Sequence, residues 1–197
     1  MNKAPHSIQK RNPDRDLLLV VDVQNVYLPG NPWACPGILP AIDNTVKLLR
    51  FPDLPETILT RFVPPSHPRG RWKAYNKETA QINKDAFLCQ LVKPILSVSE
   101  GKTVVEKSTY SALKCPQVRG ALTGKRALVL AGVVAECCVL ATMMDAIDLG
   151  YEVIYLYDCI AGQSAEMAQF VKALAERFSP VHTQVMSSEE YLSALLL

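Results

Sequence analysis

The chain has two runs of five consecutive aliphatic residues, LLLVV at 17–21 and ALVLA at 127–131, with no polar residue at every second position. A strand with one solvated face alternates, whereas a run without alternation suits a strand buried on both faces, as in a parallel sheet. Three shorter segments read the same way: Thr57 to Arg61, Thr103 to Val105 and Val153 to Leu156; His182 to Val185 is a weaker sixth. Between them lie stretches whose apolar residues recur at three and four, predicting helices over Ile38–Leu49, Lys84–Leu96, Val139–Leu149 and Ala165–Phe178, with Gly150 stopping the third. Strands alternating with helices of this length call for βαβ units, a parallel sheet and helices on both of its faces.

With 197 residues, 49% of them hydrophobic, the chain can bury one sizeable core, and no repeat or linker divides it. The expected organisation is a flexible tail over residues 1–15, with His6 in it, and a single domain over 16–197. The net charge of +2 comes from 21 basic and 19 acidic residues that are interspersed, so no basic face predicts a nucleic-acid partner. No run approaches the roughly 18 apolar residues of a membrane span, and no apolar leader opens the chain, so the expectation is a cytoplasmic protein.

The six cysteines, at 35, 89, 115, 137, 138 and 159, follow no C-x-x-C spacing and lie far from the histidines. A disulfide framework and a zinc site are therefore both disfavoured, and reduced thiols are expected.

Three strand ends carry the chemistry. The first strand ends LLLVVDVQN and places Asp22 at the carboxyl edge of the sheet, where it either caps a turn or transfers protons. No G-x-G-x-x-G follows, which removes the dinucleotide reading of that turn. The third ends TVVEKSTYSAL, where Lys107 is either solvated or poised to lower a thiol pKa and hold an oxyanion. The fourth ends LVLAGVV before AECCVLATMMDAI opens a helix, and a cysteine in that first turn meets free N–H groups and the positive end of the helix dipole, both favouring thiolate. Cys137 and Cys138 can be buried small hydrophobes or a nucleophile with its neighbour; a bond between adjacent cysteines strains the ring it closes. An acid, a cation and a thiol at one sheet edge form a base, a stabiliser and a nucleophile.

From LLLVVDVQNVY through VVEKSTYSAL to AGVVAECCVLATMMDAIDLGYEV the chain resembles the isochorismatase-like cysteine hydrolase superfamily, which includes nicotinamidases and N-carbamoylsarcosine amidohydrolases. The resemblance implies a three-layer α-β-α sandwich around a six-stranded parallel sheet. Laying Gly132, Val133, Val139, Thr142, Asp145, Ala146 and Gly150 on the family motif leaves the nucleophile position at Cys138. Asp22 resembles the general base and Lys107 the stabilising lysine. The resemblance also implies a cis peptide between Val133 and Val134 and an oxyanion hole from the backbone of Val134 and Cys138. It further implies a small amide or ureido substrate, no cofactor, and a homo-oligomer of two or four copies. Where many members carry threonine this chain has Ala135, and His67 is the only histidine in the region that holds the nicotinamidase metal, so no metal is expected.

Gln24, Tyr27, Trp33, Trp72 and Tyr110 are candidates for the pocket wall, each also serving as a packing residue. Arg61, Arg69 and Arg71 are candidates for a substrate carboxylate. Asp158 reads as a support for the sheet edge. Two other functions use parts of the same set: vinyl-ether hydrolysis, which needs Asp22 and Lys107 without Cys138, and a thiol redox sensor, which needs Cys137 and Cys138 alone.

Overall fold

Six parallel strands form one sheet in the order β3-β2-β1-β4-β5-β6 in the computed structural model, which describes residues 10–197. They are β1 (Asp16–Val21), β2 (Glu56–Phe62), β3 (Thr103–Lys107), β4 (Ala127–Gly132), β5 (Glu152–Ile160) and β6 (Thr183–Met186). The helices are α1 (Ile38–Leu49), α2 (Trp72–Glu78), α3 (Ala80–Lys84), α4 (Lys93–Leu96), α5 (Pro116–Leu122), α6 (Leu140–Asp148), α7 (Ala165–Phe178) and α8 (Ser188–Leu196). The unbroken aliphatic run of β1 has a direct cause in this arrangement. Leu18 and Val20 enter one core with Ile38, Ile42 and Leu49 of α1 and Tyr191 of α8. Leu17, Leu19 and Val21 enter the other with Val118 of α5, Met143 of α6 and Val171 of α7. Each face of the strand is covered by helices, so each of residues 17–21 must be apolar.

The helix expected over Lys84–Leu96 does not form. α3 stops at Lys84, and Asp85 takes an extended conformation whose Oδ1 accepts from the N–H groups of Phe87 and Leu88. The chain then runs beside the exit of β1, with Asn25 N–H donating to Gln90 O (2.8 Å) and Val92 N–H to Val23 O (3.0 Å). Pro94, which cannot continue a helix in progress, instead opens the short α4. The apolar spacing was real, but its buried positions Leu91, Val92 and Ile95 reach the core from a loop and a single turn.

Part of the expected tail is folded, while His6 lies outside the described residues. Asn12 caps a short turn over Pro13–Arg15, and Arg11 N–H donates to Ala194 O of α8 (2.8 Å). The buried Arg11 guanidinium meets Asp16 through two hydrogen bonds of 2.9 and 3.1 Å and Glu152 through a third of 3.2 Å. Tyr191 Oη also donates to Asp16 (3.0 Å). Removing one member of a buried pair leaves the other charge unpaired. Arg11→Met is therefore expected to lower unfolding stability by about 3 to 5 kcal/mol, read as a lower urea midpoint with an unchanged slope.

Candidate active site

The carboxyl ends of β1, β2, β3 and β4 bring the three predicted residues together. Phe62 lies beside Lys107 and Val21 beside Gly132 in the strand register, so the residues that follow converge on one point. Asp22 leaves β1 with φ 50°, in the left-handed region that a non-glycine residue rarely takes. Its N–H donates to Thr60 O (3.1 Å), and its Oδ1 accepts from Thr60 Oγ1 (2.7 Å), so β2 fixes both backbone and carboxylate. Across β1, Gly132 has φ 110°, and a Cβ there would lie 2.1 Å from Val21 O. Only glycine fits. The peptide that follows, between Val133 and Val134, is cis.

The turn carrying the two cysteines is a single π turn over Ala135–Val139 running into α6. Val134 O accepts from Cys137 N–H (3.0 Å) and from Val139 N–H (3.2 Å), passing over the Cys138 N–H between them. A π turn at a helix start thus leaves that amide unspent on the carbonyl. Thr142, fully buried one turn on, donates to Cys138 O (2.7 Å) and accepts from Ala112 N–H (3.0 Å). It ties the turn with the two cysteines to the loop after β3.

Lys107 Nζ lies 2.6 Å from Asp22 Oδ2, 3.3 Å from Cys138 Sγ and 2.8 Å from Thr109 O. Those three acceptors match the three N–H bonds of an ammonium. Burial works against the charge, but Asp22 and Cys138 outweigh it, and the lysine pKa is raised. All three residues are closed to solvent, Asp22 at 0%, Lys107 at 2% and Cys138 at 4% exposure. Among the described residues Asp22 Oδ2 receives no hydrogen bond beyond its ion pair with Lys107.

The expectation of a thiolate is corrected here. Burial first, and the Asp22 carboxylate second, push the Cys138 pKa far above its ordinary value, and Lys107 opposes them only in part. The balance of these effects favours the protonated thiol over the thiolate. Cys137, half-buried, points between the two cores, and burial followed by Glu136 raises its pKa as well. All six cysteines are free.

The pocket candidates divide. Trp72 and Tyr110 meet at 5.0 Å between ring centroids, close to the trio, with Tyr75 5.2 Å from Trp72. Phe62 lies 6.3 Å from each of Trp72 and Tyr75, and the Lys107 ammonium stands 5.4 Å from its centroid. Tyr27 is buried beside Cys138 and Asp22; burial first, then those two groups, drive its pKa well up. Trp33 packs on Tyr27 at 5.9 Å from within the α1-side core, away from the Trp72 wall. Gln24 is a brace and not a substrate contact: its Nε2 donates to Phe62 O (3.1 Å) and Cys89 O (2.7 Å), and its Oε1 accepts from Phe62 N–H (2.9 Å). Arg61 pairs with Glu106, whereas Arg69 and Arg71 are exposed. Asp158 accepts from Ser188 N–H and Oγ, both at 2.7 Å, and so docks the start of α8.

Thr60 and Tyr75 escaped the sequence reading, and Thr142 entered it only as a position of the family motif. A threonine inside a strand and a tyrosine in an unrecognised helix carry no local signal; only the register and the turn bring them to the trio. A hollow of about 300 Å3 lined by Phe51, Leu54, Glu56 and Lys102 opens at the amino ends of β2 and β3, the opposite edge of the sheet. Among the described residues no three His, Cys, Asp or Glu side chains group as a metal site, and no helix is long and apolar enough to cross a membrane.

The isochorismatase domain matches residues 16–190 of the chain. The chain belongs to that family and is a member of the isochorismatase-like hydrolase superfamily. It is 26% identical over 160 residues to maleamate amidohydrolase of Pseudomonas putida, covering 76% of this chain and 73% of that one. N-carbamoylsarcosine amidase of Arthrobacter is also 26% identical, over 196 residues, with 92% of this chain and 73% of the relative covered. The fold matches a cysteine hydrolase from Pseudomonas syringae with a TM-score of 0.80 at 19% identity, over 94% of each chain.

Proposed function

We propose that the chain hydrolyses a C–N bond in a small amide or ureido compound through a thioester on Cys138. The observation that supports this most directly is the buried contact of Cys138 Sγ with Lys107 Nζ at 3.3 Å, with Asp22 Oδ2 2.6 Å from the same ammonium. Asp22 takes the thiol proton as Sγ bonds to the carbonyl carbon, so the charge passes from carboxylate to sulfur and then to the substrate oxygen. The N–H groups of Val134 and Cys138 receive that oxyanion. Collapse breaks the C–N bond, and protonated Asp22 gives its proton to the departing ammonia or amine. Water, deprotonated by Asp22, then cleaves the thioester and restores the thiol. Lys107 holds its positive charge throughout and balances the anion as it moves from Asp22 to sulfur.

Two relatives named for amide substrates, maleamate amidohydrolase and N-carbamoylsarcosine amidase, support the same reaction class. A redox sensor depends on a thiolate, and the raised pKa of both Cys137 and Cys138 weighs against one. An assembly of two or four copies belongs to this reading on the family resemblance.

Ammonia release from a panel of primary amides and ureido compounds tests the proposal. Activity is expected to vanish in Cys138→Ala and to survive in Cys137→Ala. Equal loss in both variants, or none in either, would remove Cys138 from the role of nucleophile. Thr142→Val, which keeps the side chain's shape and loses both hydrogen bonds, is expected to lower kcat by on the order of 10- to 100-fold with a smaller change in KM. Thr142→Ser should restore most of that loss. A Val variant as active as the parent would show that the tie between the turn and the β3 loop has no part in catalysis.

A further inference from the structure

The sheet ends in two edge strands, β3 and β6, and they are guarded differently. An open edge offers unpaired N–H and C=O groups to any other strand, and charged side chains are a common protection. β3 has them: Lys102 precedes it, Glu106 and Lys107 lie within it, and Glu106 pairs with Arg61 of β2. β6 reads Thr-Gln-Val-Met and carries no charge. On its inner side Val153 N–H of β5 donates to His182 O (2.9 Å), so the alternation of the strand turns the backbone groups of Thr183 and Val185 outward. Among the described residues no strand lies beyond them.

The helix beside this edge is apolar on the same side. α7 buries Val171 and Ala175, yet Met167, Phe170, Leu174 and Phe178 recur at three and four as a second stripe, with Met167 40% and Phe170 59% exposed. Phe178 rests against His182, just before β6, at 6.5 Å between ring centroids. Lys172, whose ammonium stands 4.8 Å from the Tyr157 ring centroid, marks the opposite flank of the helix. The stripe therefore runs along the β6 edge, and Val181, 77% exposed, lies at its end. Charge sits at the two ends of the helix: Glu166 in the first turn and Arg177 in the last, both exposed, while Lys172 and Glu176 pair with each other (3.4 Å).

We propose that β6 and α7 together form a face on which a second copy of this chain docks about a two-fold axis, joining two sheets edge to edge. A two-fold sets β6 antiparallel to its mate, with Thr183 of one copy exchanging backbone bonds with Val185 of the other. The same axis lays the two α7 helices antiparallel, so the stripes of Met167, Phe170 and Leu174 cover one another and Glu166 comes to the partner's Arg177. One axis serves both layers because Thr183 Oγ1 donates to Ala175 O, which sets β6 level with the second half of α7. An acid and a base at opposite ends of one helix are complementary to themselves under a two-fold, which selects a second copy over an unrelated strand. Such a contact closes on itself and stops at two copies. It lies away from the carboxyl ends of β1 to β4, so it neither completes nor blocks the candidate site and stands apart from the reaction proposed there.

Sedimentation velocity over micromolar concentrations tests this face. The parent is expected to run as two chains and Phe170→Lys as one, with an unchanged circular dichroism spectrum because the position is exposed. Glu166→Arg and Arg177→Glu should each weaken association on the order of 5-fold, and the double exchange should restore it. Hydrogen exchange at the Thr183 and Val185 amides should slow as the parent associates. A tetramer that Phe170→Lys reduces to two chains would support the same face. A parent that stays a single chain, an assembly that Phe170→Lys leaves intact, or association without slower exchange at Thr183 and Val185 would overturn the proposal.

Discussion

Asp22→Asn is expected to make Cys138 easier to alkylate at neutral pH while nearly abolishing turnover. The sign follows from the groups around the sulfur. Burial and the Asp22 charge both raise the thiol pKa, and only Lys107 lowers it. Neutralising Asp22 leaves burial and Lys107 alone, so the pKa falls and the thiolate fraction rises at any pH below it. Iodoacetamide should then modify Cys138 on the order of 10-fold faster at pH 7.5, with the whole rate profile moved to lower pH. Turnover should drop by about 1,000-fold or more, because the variant has no base to take the thiol proton and no acid to give it to the amine. Lys107→Met is the mirror case: the thiol pKa climbs further, and both alkylation and turnover fall. An Asp22→Asn variant alkylated no faster than the parent would mean that the carboxylate does not hold the thiol protonated.

Gly132→Ala should produce the largest loss of stability from a single methyl group. The new Cβ would lie 2.1 Å from Val21 O and 2.5 Å from Val21 N, both backbone atoms of the central strand that cannot swing aside. The φ of 110° adds the strain of a conformation that L side chains avoid. Together these cost about 3 to 5 kcal/mol, which for a chain of this size lowers Tm by about 10 °C or more. The measurement is a thermal melt followed by circular dichroism. Gly150→Ala is the control, because its φ is also positive but a Cβ there meets nothing within 4 Å. If both glycines gave equal shifts, backbone conformation alone would account for them and the contact with Val21 would count for nothing.

The sheet was legible because burial on both faces writes itself as an aliphatic run. Leu17–Val21 and Ala127–Ala131 lie inside the observed strands, and Ile38–Leu49 and Ala165–Phe178 coincide with helices. Failures came where tertiary contacts replaced local pattern. Lys84–Leu96 has helical spacing, but a turn over 86–89 and backbone bonds between residues 88–92 and residues 23–26 hold its middle as a loop. α2 went unseen because WKAYNKE buries no residue fully and so shows no apolar stripe. At the candidate site, Asp22, Lys107 and Cys138 stood out in the sequence because each ends a recognisable strand or opens a helix. Their electrostatics were not, since a helix start argues for thiolate and the depth of burial that reverses it exists only in three dimensions. Gln24 was misjudged for a related reason: a side-chain amide at a strand end looks free in sequence, yet β2 and the loop at Cys89 use both of its polar atoms.

The register of β3 against β2, with Lys107 beside Phe62, bears on which length changes the family can tolerate. Side chains alternate across a strand, so removing one residue within β3 would turn the ammonium to the far side of the sheet and bring Glu106 or Ser108 toward the thiol. The loops at 28–37 and 63–71 face no such parity rule. Lineages that acquire new substrates through insertion and deletion are therefore free to edit those loops, whereas β3 can change its residues but not their number.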